Sequence, residues 1–327
     1  MKSVEKANVS GKRVLVRVDF NVLPLTSREI RIEKTLPTLR YLLSRKAKII
    51  LLTHLETNNW KIPGTKILLP YLKRILPMDK IILFENLRKF PGEKKNDLKF
   101  AKRLASLGDI YVNEAFSASH RPHASIISLP KLLPSYAGFL FEEEIKKLSK
   151  VFKPHRPFTL VLGGGKIETK LPILNKFLPV LDYALLGGVL LNRYIMEKNL
   201  LPSKKVILPT QVIASGKKIM DVAPEGFGEW ERIIKSSKLI VWNGPLGYME
   251  KGYTSGTRKL ISILQKIKGE VIIGGGDTLD YLPPKLPKNI FVSTGGGAML
   301  EYLVHKTLPG ITALEKGESR QRRKATN

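Results

Sequence analysis

Ten short apolar runs recur along the chain, and stretches with helical spacing lie between them. The first half carries VLVRV from Val14, AKIILLT from Ala47, KIILF from Lys80 and IYVN from Ile110. The second half carries FTLVL from Phe158, YALL from Tyr183, KVIL from Lys205, KLIVW from Lys238, EVII from Glu270 and IFVS from Ile290. These runs are nearly all apolar rather than alternating, as parallel strands covered on both faces must be. The helical patterns Asp97–Gly108 and Gly256–Gly269 both end on a glycine suited to a left-handed cap. Such alternation predicts an α/β fold built on mostly parallel sheets.

At 327 residues the chain is long for one domain. GFLFEEEIKKLSKVFKPHRP, residues 138–157, reads as a helix broken by Pro154 and Pro157, a connector between two lobes. The expected division is 1–149, 150–314, and a basic tail over 315–327 that lacks apolar periodicity and is expected to be disordered. Each lobe would be doubly wound, with ligands beyond the carboxyl ends of its strands, and a hinged cleft between them would suit two substrates.

The absence of cysteine excludes disulfides and thiolate metal sites and fits a reducing cytosol. Lys131 and Asp182 interrupt the most apolar stretches, so no membrane span is expected, and Arg17 inside the first run argues against a signal peptide. A cytoplasmic, monomeric chain with no membrane partner is the expectation.

Lys plus Arg number 56 against 28 Asp plus Glu, a formal charge of +28. A field of that sign favours phosphorylated metabolites, nucleotides or nucleic acid. The charges are spread along the whole chain, however, and aromatic interleaving typical of a single-strand-binding sheet is not evident. A solvated basic surface is therefore favoured over a dedicated nucleic-acid site.

Three glycine triplets, Gly163–Gly165, Gly274–Gly276 and Gly295–Gly297, each follow an expected strand and precede a helical segment. Bare backbone at a helix start admits phosphate, although close strand–helix packing would require the same glycines. The sixth positions are Glu168, Leu279 and Leu300, so none is a dinucleotide fingerprint, and none is a P-loop. After the first triplet, Lys166 and Lys170 stand at i, i+4 and can grip polyphosphate. After the second comes Asp277, either a helix cap or an oxygen ligand for Mg2+ on phosphate. VWNGPLGYMEKG adds Asn243 and Glu250, the latter suited to a ribose hydroxyl.

Strand ends in the first half offer a different set: Asp19, Asn21, Arg31, His54, Arg88, His120, Arg121 and His123. Taken singly, each is more often a surface or structural side chain. On one rim they would make a basic pocket for a small phosphorylated acid.

GKRVLVRVDFNV, FENLRKFPGEKKND, EAFSASHRPHAS, IVWNGPLGYME, IIGGGDT, VSTGGGAMLEYL and LPGITAL occur in this order, and together they resemble the phosphoglycerate kinase family from about Gly11 to Leu314. The resemblance implies two Rossmann-like lobes, 3-phosphoglycerate on the first and Mg-nucleotide on the second. It implies reversible phosphoryl transfer between 1,3-bisphosphoglycerate and ADP, with 3-phosphoglycerate and ATP as the other pair. Carried over residue by residue, it assigns Asp19, Asn21, Arg31, His54, Arg88 and Arg121 to the phosphoglycerate site, with Arg31 meeting the transferring group. Gly164, Gly165, Lys166 and Lys170 fall at the nucleotide phosphates, Lys166 beside the transferred phosphoryl. Gly187, Gly188, Asn243, Tyr248 and Glu250 fall on the nucleotide side, and Gly274, Gly275, Gly276, Asp277 and Thr278 form the Mg-phosphate loop, with Asp277 as the metal ligand.

The chain departs from the family pattern in four places. THLETNN stands where the family reads S-H-L-G-R-P, so Thr57 replaces a phosphate-binding arginine, with Lys61 or Lys66 nearby as candidate substitutes. Leu186 replaces the first glycine of a G-G-G turn, EAFS replaces D-A-F-G, and the region after LLGGVLL is shortened. An active kinase is the leading reading. A catalytically weakened nucleotide binder and a basic nucleic-acid-associated protein on the same fold are the alternatives.

Overall fold

A computed structural model describes residues 1–23, 25, 29–57, 62–197 and 203–325. The first sheet comprises β1 (Arg13–Arg17), β2 (Lys48–Leu52), β3 (Ile81–Leu83), β4 (Ile110–Asn113) and β5 (Ser135–Ala137). Next come β6 (Phe158–Leu162), β7 (Tyr183–Leu186), β8 (Val206–Ile207), β9 (Val212–Ser215), β10 (Lys218–Val222), β11 (Leu239–Asn243), β12 (Glu270–Gly274) and β13 (Ile290–Val292). Every apolar run of the sequence becomes a strand. β5 and the antiparallel β9–β10 hairpin were not anticipated, because each is short and half polar.

The first sheet runs β3-β2-β1-β4-β5 and the second β13-β12-β11-β6-β7-β8, with every pairing within them parallel. Strand order therefore reverses between β1 and β4 in one sheet and between β6 and β11 in the other. Loops leaving the carboxyl ends diverge at such points and open a crevice. Both predicted sites fall there.

Asp97 caps the helix Leu98–Ala105, its Oδ1 accepting the Phe100 amide at 2.7 Å. The expected glycine caps are not left-handed: the helices end at Ala105 and Leu264, before Gly108 and Gly269. Those glycines are instead required by close approach, since a Cβ would strike the Leu15 side chain at one and the Ser237 carbonyl at the other.

The chain forms two compact units, Met1–Ile145 with Thr307–Asn327, and Lys146–Lys306. The first boundary lies inside the helix Phe139–Ser149, close to the expected 149/150. The second differs from the expected 314/315, because Thr307 onward belongs with the first unit. Leu308, Ile311, Ala313 and Leu314 are buried, and the Gly310 amide bonds the Ser119 carbonyl at 2.9 Å. The helix Pro309–Ala325 packs on β5 and on residues 124–131. It continues through most of the segment expected to be a disordered tail, whose Glu, Lys and Arg content favours helix once its first turns are anchored. Among the described residues no helix is long and apolar enough to cross a membrane.

Candidate active site

In the first unit, the chain leaving β1 turns Asp19 and Asn21 over the carboxyl edge of the sheet. The Asn21 amide donates to Asp19 Oδ1 at 3.2 Å, and Asn21 Oδ1 accepts the Glu56 amide at 2.8 Å, which ties the loops after β1 and β2. Arg31 opens the helix Ile30–Ser44, its Nη1 3.4 Å from Asp19 Oδ2 and 3.2 Å from the Asn21 carbonyl. The Ser117 hydroxyl donates to the same Asp19 oxygen. Burial pushes the Asp19 carboxyl up, but Arg31 and Ser117, with Arg17 nearby, hold it below its ordinary value.

Beneath this rim lies Arg17, the charge inside the first apolar run, and it is 1% exposed. Its Nε donates to Ser125 Oγ at 3.0 Å, Nη1 donates to the Val18 carbonyl, and Nη2 lies 3.1 Å from His54 Nδ1. Burial, joined by Arg17, Arg88 and Arg121, keeps His54 well below its ordinary pKa despite Asp19. The ring is therefore neutral and Nδ1 accepts from Arg17, so its 3.9 Å approach to Asp19 is a contact rather than an ion pair. Ser125 in turn donates to Glu93 Oε1 at 2.6 Å, balancing the buried guanidinium through one hydroxyl.

Arg88 follows a turn closed by its amide on Asn86 Oδ1 at 3.0 Å. Its Nη1 is 3.4 Å from His123 Nε2 and its Nε 3.7 Å from Glu56 Oε1. Arg121 donates to His120 Nε2 at 3.3 Å and is close enough to Arg88 that its charge, after burial, works against the Arg88 guanidinium. Burial and these arginines lower His123 to about 3. The six residues expected on this rim thus come together around neutral histidines. Arg17, Glu56, Glu93 and Ser125 were not anticipated as part of it; an arginine within a strand of valines was the one available signal.

In the second unit a cavity of about 270 Å³ opens at the strand reversal. Gly164, Gly165, Gly188, Tyr248, Glu250 and Asp277 line it, as expected. Gly163 lies behind, where a Cβ would drive into the Pro245 carbonyl, and its amide bonds the Asn243 carbonyl at 3.0 Å. A Cβ on Gly165 or Gly276 would meet nothing within 4 Å, so backbone there stands open to a ligand. The triplets serve both readings: close packing on one side and access on the other. The third triplet, which opens the helix Gly297–His305, does not line the cavity.

Lys170, on the helix Ile167–Phe177, is buried and donates to Asn243 Oδ1. Burial lowers it to about 8, with Asp277 raising and Lys166 further lowering it, so these three charges converge. Lys166 is exposed at the helix start. Gly187 precedes the helix Gly188–Met196, and Gly188 donates its amide to the Leu246 carbonyl at 2.8 Å. Leu186, in place of a glycine, is buried in β7.

Asp277 does not cap its helix; Gly275, with φ 103°, holds that position after Gly274 closes β12. The carboxylate is exposed instead, and beside it the buried Thr278 Oγ1 makes no hydrogen bond. Among the described residues no group of three metal-ligating side chains exists. One carboxylate and one hydroxyl suit Mg2+ that takes its remaining oxygens from phosphate and water.

The far wall was not anticipated. Val189 and Asn192 come from the helix Gly188–Met196, and Lys218, Ile219 and Met220 from β10. Asn192 pins the hairpin with two 2.8 Å bonds to the Ile219 backbone. The only hint was the Ser-Gly turn at Gly216. Tyr248, 39% exposed, is flanked by Lys218 and Lys251 at 5.6 and 5.3 Å from its ring centre.

A family model described as phosphoglycerate kinase matches residues 4–77, 72–206 and 196–306. The chain belongs to the phosphoglycerate kinase family. It is 35% identical to the phosphoglycerate kinase of Coprothermobacter proteolyticus over 389 residues, covering 96% of this chain and 98% of the relative. It is 36% identical to that of Wolbachia from Drosophila simulans over 393 residues, with the same coverage. Both alignments are longer than the 327 residues of the chain, so these relatives carry segments that it lacks. Phosphoglycerate kinase from Coxiella burnetii superposes with a TM-score of 0.79 at 28% identity, over 96% of this chain and 98% of that one. The enzyme from Pyrococcus horikoshii shares the fold, with a TM-score of 0.84 at 24% identity over 98% and 100%. Of the readings that the sequence leaves open, family membership favours the kinase over the basic binder.

Proposed function

We propose that the chain is a phosphoglycerate kinase of glycolysis, transferring a phosphoryl group reversibly between 1,3-bisphosphoglycerate and ADP. The observation that carries this reading, in a chain of this family, is a glycine-walled cavity lined by Asp277, whose carboxylate acts on the charge of Lys170 as Lys166 does. A carboxylate acceptor is ionised near neutral pH, so no general base is needed. Positioning and cationic cover of the transferring oxygens are needed, and arginine and lysine supply both.

Asp19, Asn21, Arg31, His54, Arg88 and Arg121 would bind the phosphorylated acid, with Arg31 facing the transferring group. Asp19 fixes Arg31, and the neutral His54 can share a proton in a hydrogen bond to an anion without adding charge. The Gly164–Gly165 and Gly274–Gly276 loops, Lys166 and Lys170 would hold the polyphosphate. Tyr248 and Glu250 would meet the nucleoside, with Gly187, Gly188 and Asn243 shaping the floor. Mg2+, bound by Asp277 with Thr278 close by, would neutralise phosphate charge. The acid and the nucleotide must meet for transfer, so a conformational change that brings them together and excludes water belongs to this proposal. A cytoplasmic, monomeric enzyme goes with the same reading.

A coupled assay with 3-phosphoglycerate, ATP and Mg2+ tests it. Turnover well above that of Lys166→Ala is expected, and equal rates would sink the proposal.

A further inference from the structure

The phosphate pocket has lost one cation at Thr57 and gained a carboxylate beside it, Glu56. The Glu56 amide is fixed on Asn21, and its Oε1 lies 3.7 Å from Arg88 Nε and 3.9 Å from Lys94 Nζ. Glu56 thus stands between a buried guanidinium and a lysine that ends the short helix Pro91–Lys94. Glu93, next to that lysine, is fixed by Ser125 beneath the site, so the turn presenting Lys94 is anchored. Lys61 lies outside the described residues.

Alone, Glu56 would cancel a second positive charge in a pocket already short of an arginine. Lys94 reverses that. Arg88 faces Glu56 through Nε at an ion-pair distance of 3.7 Å rather than a hydrogen bond, and its Nη1 meets His123, which leaves Nη2 for a ligand; the Lys94 ammonium has two further donors. We propose that Lys94, held against Arg88 by Glu56, replaces the missing arginine and binds the phosphate of the phosphorylated acid. Lys94 is a binding residue in this scheme, and Glu56 is a positioning residue that brackets two cations. The inference rests on the reading of this rim as the acid site.

Calorimetric titration with 3-phosphoglycerate and steady-state kinetics on the full chain test it. Lys94→Met should raise Kd and KM for 3-phosphoglycerate about 3- to 10-fold, as expected for a half-exposed charged contact, and the change should fall on KM rather than kcat. Lys94→Arg should stay near wild type, and adding Thr57→Arg to Lys94→Met should restore binding. Lys99→Met removes the same charge from the exposed face of the helix Leu98–Ala105 and should leave Kd unchanged. Glu56→Gln should raise KM; a fall would mean that Glu56 merely competes with the phosphate, and would overturn the inference. Unchanged Kd in Lys94→Met, or an equal rise in Lys99→Met, would overturn it while leaving the kinase reading intact. Failure of the wild type to bind 3-phosphoglycerate would remove both.

Discussion

The Glu114 carboxylate accepts the Thr38 hydroxyl at 2.5 Å and the Leu140 and Phe141 amides at 3.1 and 3.3 Å. It therefore joins the helix that carries Arg31 to the first turn of the helix Phe139–Ser149, from a position 1% exposed. Carboxylates belong at helix N-termini, but burial here outweighs its three donors and pushes Glu114 up from 4.5 to about 7.

Stability should consequently fall as pH rises through that window. Below 4.5 both folded and unfolded carboxyls are protonated; between 4.5 and 7 only the unfolded one ionises; above 7 the loss is complete. The loss is about 2–4 kcal/mol. Denaturant unfolding across this range should show a steeper decline for wild type than for Glu114→Gln. Parallel slopes would contradict a buried, protonated Glu114.

A second pH dependence belongs to Lys170. With its pKa lowered to about 8, it carries charge at neutral pH and loses it in mild alkali. Affinity for ATP should therefore weaken between about pH 7 and about pH 9, since a neutral amine no longer attracts phosphate. Lys170→Met should bind more weakly at neutral pH and lose most of this slope. Fluorescence or calorimetric titration at several pH values checks it.

Why the strands were legible and the pocket's far wall was not comes down to burial. β1, β6, β11 and β12 are covered on both faces, and each announces itself as a nearly all apolar run. β10 instead stands at the rim, where Lys218 is exposed and Ile219 only partly covered, and leaves no pattern. The candidate site residues that the sequence offers lie where loops leave strand ends, as at Asp19, His54 and Asp277. Glu56 and Lys94 were not, because 38 positions separate them in sequence and only the fold brings their charges together. Of the two readings left open for Asp277, the cap failed for a local reason: Gly275, with its positive φ, starts that helix instead.

That failure sharpens what Asp277 should do. A carboxylate not engaged as a cap and lining the cavity is available to a cation. Asp277→Asn should weaken binding of Mg-ATP about tenfold, the loss of one charge-assisted contact, and should affect metal-free ATP far less. Titrations with and without EDTA separate the two. Equal weakening of both forms would assign Asp277 to the nucleotide itself.

Arg17 offers the most direct test of how the acid site is supported. Its guanidinium is fully enclosed and bonds Ser125, His54 and the Val18 carbonyl, with Glu93 one hydroxyl away. Arg17→Met removes the cation and leaves the 1%-exposed Glu93 as a buried carboxylate without its counter-charge. Breaking one side of such an arrangement costs about 3–5 kcal/mol, whereas an exposed arginine contributes about 0–1 kcal/mol. The urea midpoint should fall accordingly. A double variant, Arg17→Met with Glu93→Gln, should recover part of the loss, because the stranded charge is then gone. If Arg17→Met alone is as stable as wild type, the buried network does not hold the rim in place.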